Sequence, residues 1–193
     1  MTSLSDKAGA AGEIPAEPST LPRTRISDAI DSAIRRIGEA FSWLWMILML
    51  VIIVNVAARY LFGAGSVMME ELQWHIYGVT FLIGLAYCTA TDRHVRIDVL
   101  HERWRPRTKA WVEFVGIMTF LLPFALSVLI DSVPFVLRSI ELHEISDSPG
   151  GLSHRWIIKS AITFGFALLS LAAFSRLTRC TALLFNFPKP LDR

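Results

Sequence analysis

Four apolar stretches, Phe41 to Ala58, Leu72 to Thr91, Phe114 to Ile130 and Ser160 to Ser175, contain no Asp, Glu, Lys or Arg. Each approaches the roughly 20 residues that cross a bilayer as a helix. A backbone in lipid must satisfy its own N–H and C=O groups, and runs this long without two-residue alternation do so as helices rather than barrel strands. The expected fold class is therefore an all-α membrane protein with four transmembrane helices, the spans covering about 41–60, 70–91, 110–137 and 156–177. With 193 residues, 53% of them apolar, little chain remains for a soluble domain.

Placement of charge predicts the orientation. Of the 19 Lys and Arg residues, 15 precede span one, lie between spans two and three, or follow span four; only Arg59, Arg138, Arg155 and Lys159 fall on the other side. The positive-inside rule then puts both termini and the inner loop in the cytoplasm. Cys88 and Cys180 would both face that reducing side, so no disulfide is expected. Residues 1–25, rich in Ala, Gly, Pro, Ser and Thr, read as a disordered cytoplasmic tail rather than a cleaved signal peptide. Residues 26–180 form the membrane domain, and 181–193 a second cytoplasmic tail.

Ile26, Ile30, Ile34 and Ile37 recur at helical spacing ahead of span one, with Asp28 and Asp31 early and Arg35 and Arg36 late, as a helix macrodipole prefers. Two readings stay open: an amphipathic helix lying on the inner membrane surface, or the exposed first turns of one long helix. Gly63, Gly65 and Ser66 make a connection short enough for an antiparallel hairpin. Pro123 and Pro134 should kink span three, and the segment from Ser146 to Gly151 is turn chemistry. The six tryptophans fall near span ends, Trp43, Trp45, Trp104 and Trp111 inside and Trp74 and Trp156 outside, as aromatic belts do. Gly84 with Cys88, and Ala161 with Gly165, offer small-residue faces for close helix packing.

Several polar sets could carry chemistry. His94, Asp98 and His101 share a helical face and could offer two imidazoles and a carboxylate to a metal. Their arginine-rich surroundings repel a dication, however, and a lipid-facing polar segment explains them. The basic inner loop with Arg96, Asp98, Arg103, Trp104 and Arg105 suits the headgroup layer, with anionic phospholipid as its partner. His75 and His154 lie toward the outer interface, where two axial histidines could hold haem; an interfacial His75 and a His154 in a polar turn account for them equally. Arg59 with Glu70 or Glu71 would place a cation beside carboxylates at the outer rim. Asn55, the most polar residue deep in span one, seeks a partner helix. Lys159 is placed to snorkel. No P-loop, nucleophile elbow or cysteine metal pair is present, so no catalytic residue, cofactor or metal is expected, and neither is a nucleic-acid partner. No span carries the continuous polar stripe of a self-assembling pore.

Three pieces, Asn55-Val56-Ala57-Ala58-Arg59-Tyr60-Leu61-Phe62, Glu70-Glu71-Leu72-Gln73-Trp74-His75 and His94-Val95-Arg96-Ile97-Asp98-Val99, resemble in their order the DctQ-type small membrane subunit of tripartite ATP-independent periplasmic (TRAP) transporters. Ser148-Pro149-Gly150-Gly151-Leu152 and Arg155-Trp156-Ile157-Ile158-Lys159 are similar to the branch associated with chloroaromatic and other carboxylate-like solutes. The resemblance implies a non-enzymatic subunit of a bacterial inner-membrane transporter. It also implies a large multi-span permease and a periplasmic solute-binding protein as partners, and sodium-driven uptake of organic acids through sites on the large subunit. Asn55, Arg59, Glu70, Glu71, Trp74 and Lys159 then become structural or subunit-contact residues. The rival class is a haem-binding membrane anchor of a redox complex.

Overall fold

A computed structural model of the protein describes residues 21–63, 65–92, 104–189 and 191, and among these every regular element is a helix. The first, α1, spans Arg25–Phe62; α2 spans Val67–Ala90; α3 runs from Pro106 to Glu141; α4 spans Trp156–Phe185.

Local chemistry sets the ends of α1. Thr24 caps its start: its side chain accepts from the Ser27 N–H at 3.1 Å, and Ser27 Oγ accepts from the Thr24 N–H at 3.0 Å, a reciprocal box that satisfies two otherwise orphaned donors. Gly63 ends it at φ 64°, its N–H returning to the Ala58 carbonyl, a left-handed cap that glycine adopts without a Cβ clash. Between these ends the helix is continuous over 38 residues, about 57 Å at 1.5 Å per residue. The isoleucine stripe is thus the opening of one long helix. Ile34 is buried in the bundle core, and Ile30 and Ile37 pack beside it, so most of the stripe is occupied by helix contacts and only Ile26 stays exposed.

The helix α4 is the centre of the assembly, packing against α1, α2 and α3, whereas α3 rests chiefly on α4. Ile34, Ile83, Ala86, Ala90, Ala125, Leu168, Leu169 and Ala172 make the core. Three of its alanines have no exposed surface, which lets helix backbones approach closely, as association within lipid requires. Gly165 is the tightest of these approaches: a Cβ there would lie 2.7 Å from Leu82 Cβ. Of the two small-residue faces read from sequence, this one forms a contact, whereas an added Cβ at Gly84 would meet nothing.

Helical structure continues through both prolines expected to kink α3. A π-turn over Ile117–Leu121 closes with the Leu122 N–H on the Ile117 carbonyl, directly before Pro123, and Pro134 lies inside the helix that follows. The wider turn accommodates a residue that has no N–H and crowds its predecessor.

By length and composition α1, α3 and α4 can cross a membrane. With 24 residues α2 reaches about 36 Å, but Glu70, Glu71, Gln73 and His75 in its first turns dilute its apolar character. Of the expected N-terminal tail, residues 1–20 lie outside the described ones. Leu21 departs from the expectation: it is buried against Ala110 of α3 and Cys180 of α4, and the Leu191 N–H donates to the Arg23 carbonyl at 2.8 Å.

Candidate functional site

Charge in this bundle gathers at its two ends. At the end where α1 begins and α4 stops, two arginines on α4 hold the other three helices. Arg176, 2% exposed, meets Asp92 after α2 at 2.9 Å and donates through Nε to Glu113 of α3 at 2.7 Å, with a second bond from Nη2. One turn on, Arg179 pairs with Asp31 of α1 and lies 3.6 Å from Asp28. Ser175 Oγ donates to Asp31 at 2.6 Å, and Arg23 reaches Asp28 at 3.1 Å. A buried guanidinium is tolerable only when carboxylates and hydrogen bonds replace its water. Here α1 supplies Asp28 and Asp31, α3 supplies Glu113, and Asp92 stands just past the end of α2.

No sequence motif marks this network. Asp28 and Asp31 read as helix-start charges, and Arg176 and Arg179 as part of the basic tail. The available signal was spacing: both pairs stand three residues apart and so lie on single helix faces, and their signs are opposite.

At the other end the pairs are more exposed. Arg59 at the end of α1 pairs with Glu70 at the start of α2, closing the hairpin as expected. Glu71, the alternative partner, turns instead to the α3–α4 connection, accepting from Ser146 Oγ and from the Leu152 N–H at 2.6 Å. Gly151 makes that approach possible, since a Cβ there would come within 2.8 Å of Glu71 Oε1. Lys159, placed by its sequence position to snorkel, finds a partner in the same connection. It bonds Glu144 and lies 3.9 Å from the centre of the Phe135 ring, because the connection places a carboxylate within its reach. That bond holds the Glu144 carboxyl below its ordinary value of 4.5.

The remaining sequence candidates are scattered. Asn55 is buried on α1, its Oδ1 without a hydrogen-bond partner among the described residues. Trp74 is exposed on α2. His75 engages the Glu71 carbonyl of its own helix, and His154 engages Ser153. Trp104 is half-buried and Arg105 exposed just ahead of α3, while His94, Arg96, Asp98, His101 and Arg103 lie outside the described residues.

Ion pairs at both ends of four uncharged apolar runs define a helical membrane protein whose helix ends are tied together by charge. The family model described as "Tripartite ATP-independent periplasmic transporters, DctQ component" matches residues 48–183, more than half of the chain. The chain belongs to this family, and its role is that of a small permease subunit of a TRAP transporter. The family places it alongside a large permease and a solute-binding protein. No curated protein matches the chain.

Proposed function

We propose that the chain is the four-span, non-catalytic brace of a sodium-driven importer of organic acids in a bacterial inner membrane. Both termini and the inner loop face the cytoplasm, with residues 26–180 as the membrane unit between two tails. It widens the scaffold of the large multi-span permease and presents the Arg59–Glu70, Glu71 and Lys159–Glu144 rim to the periplasmic binding protein. Asn55 and Trp74 belong to helix or subunit contacts, and the basic inner loop rests on anionic phospholipid. The large permease carries the carboxylate and sodium sites. The observation that carries this reading is the family match on a bundle whose four apolar runs are free of charge. Alternating access needs broken helices and polar groups near the midplane, and α1, α2 and α4 are unbroken.

Reconstitution tests it. In liposomes with an inward sodium gradient the isolated chain should take up no organic acid above empty liposomes. With the large permease and binding protein added, uptake should appear, collapse without the sodium gradient and ignore ATP. Robust uptake by the isolated chain overturns the brace. ATP-dependent uptake by the complex overturns the energetics. For orientation, a single cysteine at Ser148 in a Cys88- and Cys180-free background should label with an impermeant maleimide on intact spheroplasts, and one at Thr108 should not; the reverse pattern inverts the topology.

A further inference from the structure

Asp131 departs from the gathering of charge at the two ends. At 1.5 Å per residue it stands about 27 Å of helix beyond Glu113 and about 12 Å short of Ser139. Glu113 belongs to the Arg176 network at one end, and the Ser139 carbonyl accepts the Glu144 N–H at the other. A hydrocarbon core about 30 Å thick, centred between those ends, contains Asp131. Ala125, Ser132 and Ser139 are the buried residues of this part of α3. Asp131 is exposed, together with Phe124, Ser127, Pro134 and Arg138, which share its face at helical spacing.

Among the described residues no cation pairs with it. Lys159, whose ammonium lies over the ring of Phe135 one turn away, is bonded to Glu144, and Arg138 on the same face makes no ion pair with Asp131. Pro134 adds to the local polarity, because it lacks the N–H that would cover the Ile130 carbonyl beside Asp131. An ionisable side chain facing lipid is costly, and in membrane proteins such groups face protein or water instead.

The depth narrows what can cover this face. Lipid offers only hydrocarbon there, and an aspartate lacks the long stem that lets Lys and Arg reach the headgroups. A second copy of this chain, meeting through the same face in the same orientation, would set Asp131 against Asp131. A periplasmic binding protein stays outside the core. A large multi-span permease can present a basic side chain at this depth, where a charge-assisted hydrogen bond is strengthened by the low dielectric.

We propose that the α3 face around Ser127 and Asp131 is the docking surface for the large permease, with a lysine or arginine of that subunit paired to Asp131 inside the membrane. The inference rests on the accessory reading above and adds to it the contact face and its chemistry.

The test co-expresses the full chain with a tagged large permease and measures the small subunit retained after purification in mild detergent. Asp131→Leu and Asp131→Lys should each lower retention by about tenfold or more, whereas Asp131→Glu should preserve it. The isolated chain should melt no lower as Asp131→Leu than as wild type, since no partner within the bundle is lost. With p-benzoylphenylalanine in place of Ser127, near-ultraviolet light should crosslink the chain to the large permease. Undiminished retention of Asp131→Leu overturns the proposal, as does crosslinking from position 127 to lipid or to a second copy alone. A melting temperature of isolated Asp131→Leu that falls along with retention also overturns it, assigning Asp131 to the bundle itself. Should Asp131→Lys fail to fold, Asp131→Leu and the crosslink decide. Failure of the accessory reading looks different: the unmodified chain and the large permease would not co-purify at all, which removes the partner and the proposal together.

Discussion

The two ends of the bundle use the same residue types in opposite physical circumstances. At the end that holds Arg176 and Arg179, guanidiniums of 3% and 9% side-chain exposure meet carboxylates from three other helices. At the other, Arg59 and Glu70 are each about half exposed, 54% and 46%. A buried charge cannot exchange a lost partner for water, whereas an exposed one can. The first end therefore works as an internal fastening of four helices. The second is a surface that other molecules can reach, held in shape by weak contacts.

The largest test of this contrast removes a buried cation. Arg176→Ala takes the buried guanidinium away from Asp92 and Glu113, and breaking a buried pair in this way costs about 3–5 kcal/mol. Thermal unfolding in detergent, followed by size-exclusion chromatography, should show loss of most folded chain. A melting temperature within a degree or two of wild type would show the network to be dispensable and the contrast false.

Within the four apolar runs no charge is available, and the helices are held by shape. Gly165→Val forces a branched side chain toward Leu82, whose Cβ lies 2.7 Å from where the first new atom must sit. Overpacking of this kind costs about 1–3 kcal/mol, and the same melt should register it. Disulfide trapping between cysteines on α2 and α4 should fall in parallel. If stability is unchanged, α2 and α4 are less tightly packed than described.

Smaller still is the effect of opening the exposed rim. Arg59→Ala should cost only about 0.2–1 kcal/mol of stability. By the reading proposed above it should reduce the yield of assembled complex while leaving apparent solute affinity nearly unchanged. A tenfold affinity loss, about 1.4 kcal/mol, with normal assembly would instead make Arg59 part of a docking or substrate site.

The smallest effect depends on pH. Because Lys159 holds the Glu144 carboxyl below 4.5, the contribution of this pair is fully present above that value and fades as pH falls through the lower folded one. The melting difference between wild type and Glu144→Gln should therefore be constant from neutral pH to about 5 and shrink on further acidification. A difference that grows in acid would reverse the sign and remove the pair as its source.

The hairpin pair shows how much of the rim was legible. Arg59 and Glu70 lie eleven residues apart across a glycine-rich turn, so chain connectivity alone brings them together. Glu71 and Ser146 are 75 residues apart, and no local rule relates them. The arginine fastening was hidden for the same reason. Asp31 and Arg179 meet over 148 residues, and in a linear reading each had an adequate local explanation, as a helix-start acid and as a cytoplasmic cation.

By itself the sequence determined that this chain lives in a membrane, that its helices are apolar along their middles, that Arg59 and an acid close the first hairpin, and to which family it belongs. Each follows from composition, short-range spacing or motif order, which need no knowledge of distant contacts. Tertiary structure alone decided that α4 is the central helix, that α1 runs unbroken from Arg25, that Glu71 and Lys159 tie down the α3–α4 connection, and that Arg176 and Arg179 are buried. Those outcomes depend on which helix faces meet. In an apolar medium, where hydrophobicity favours no face over another, small residues and the pairing of charges make that choice.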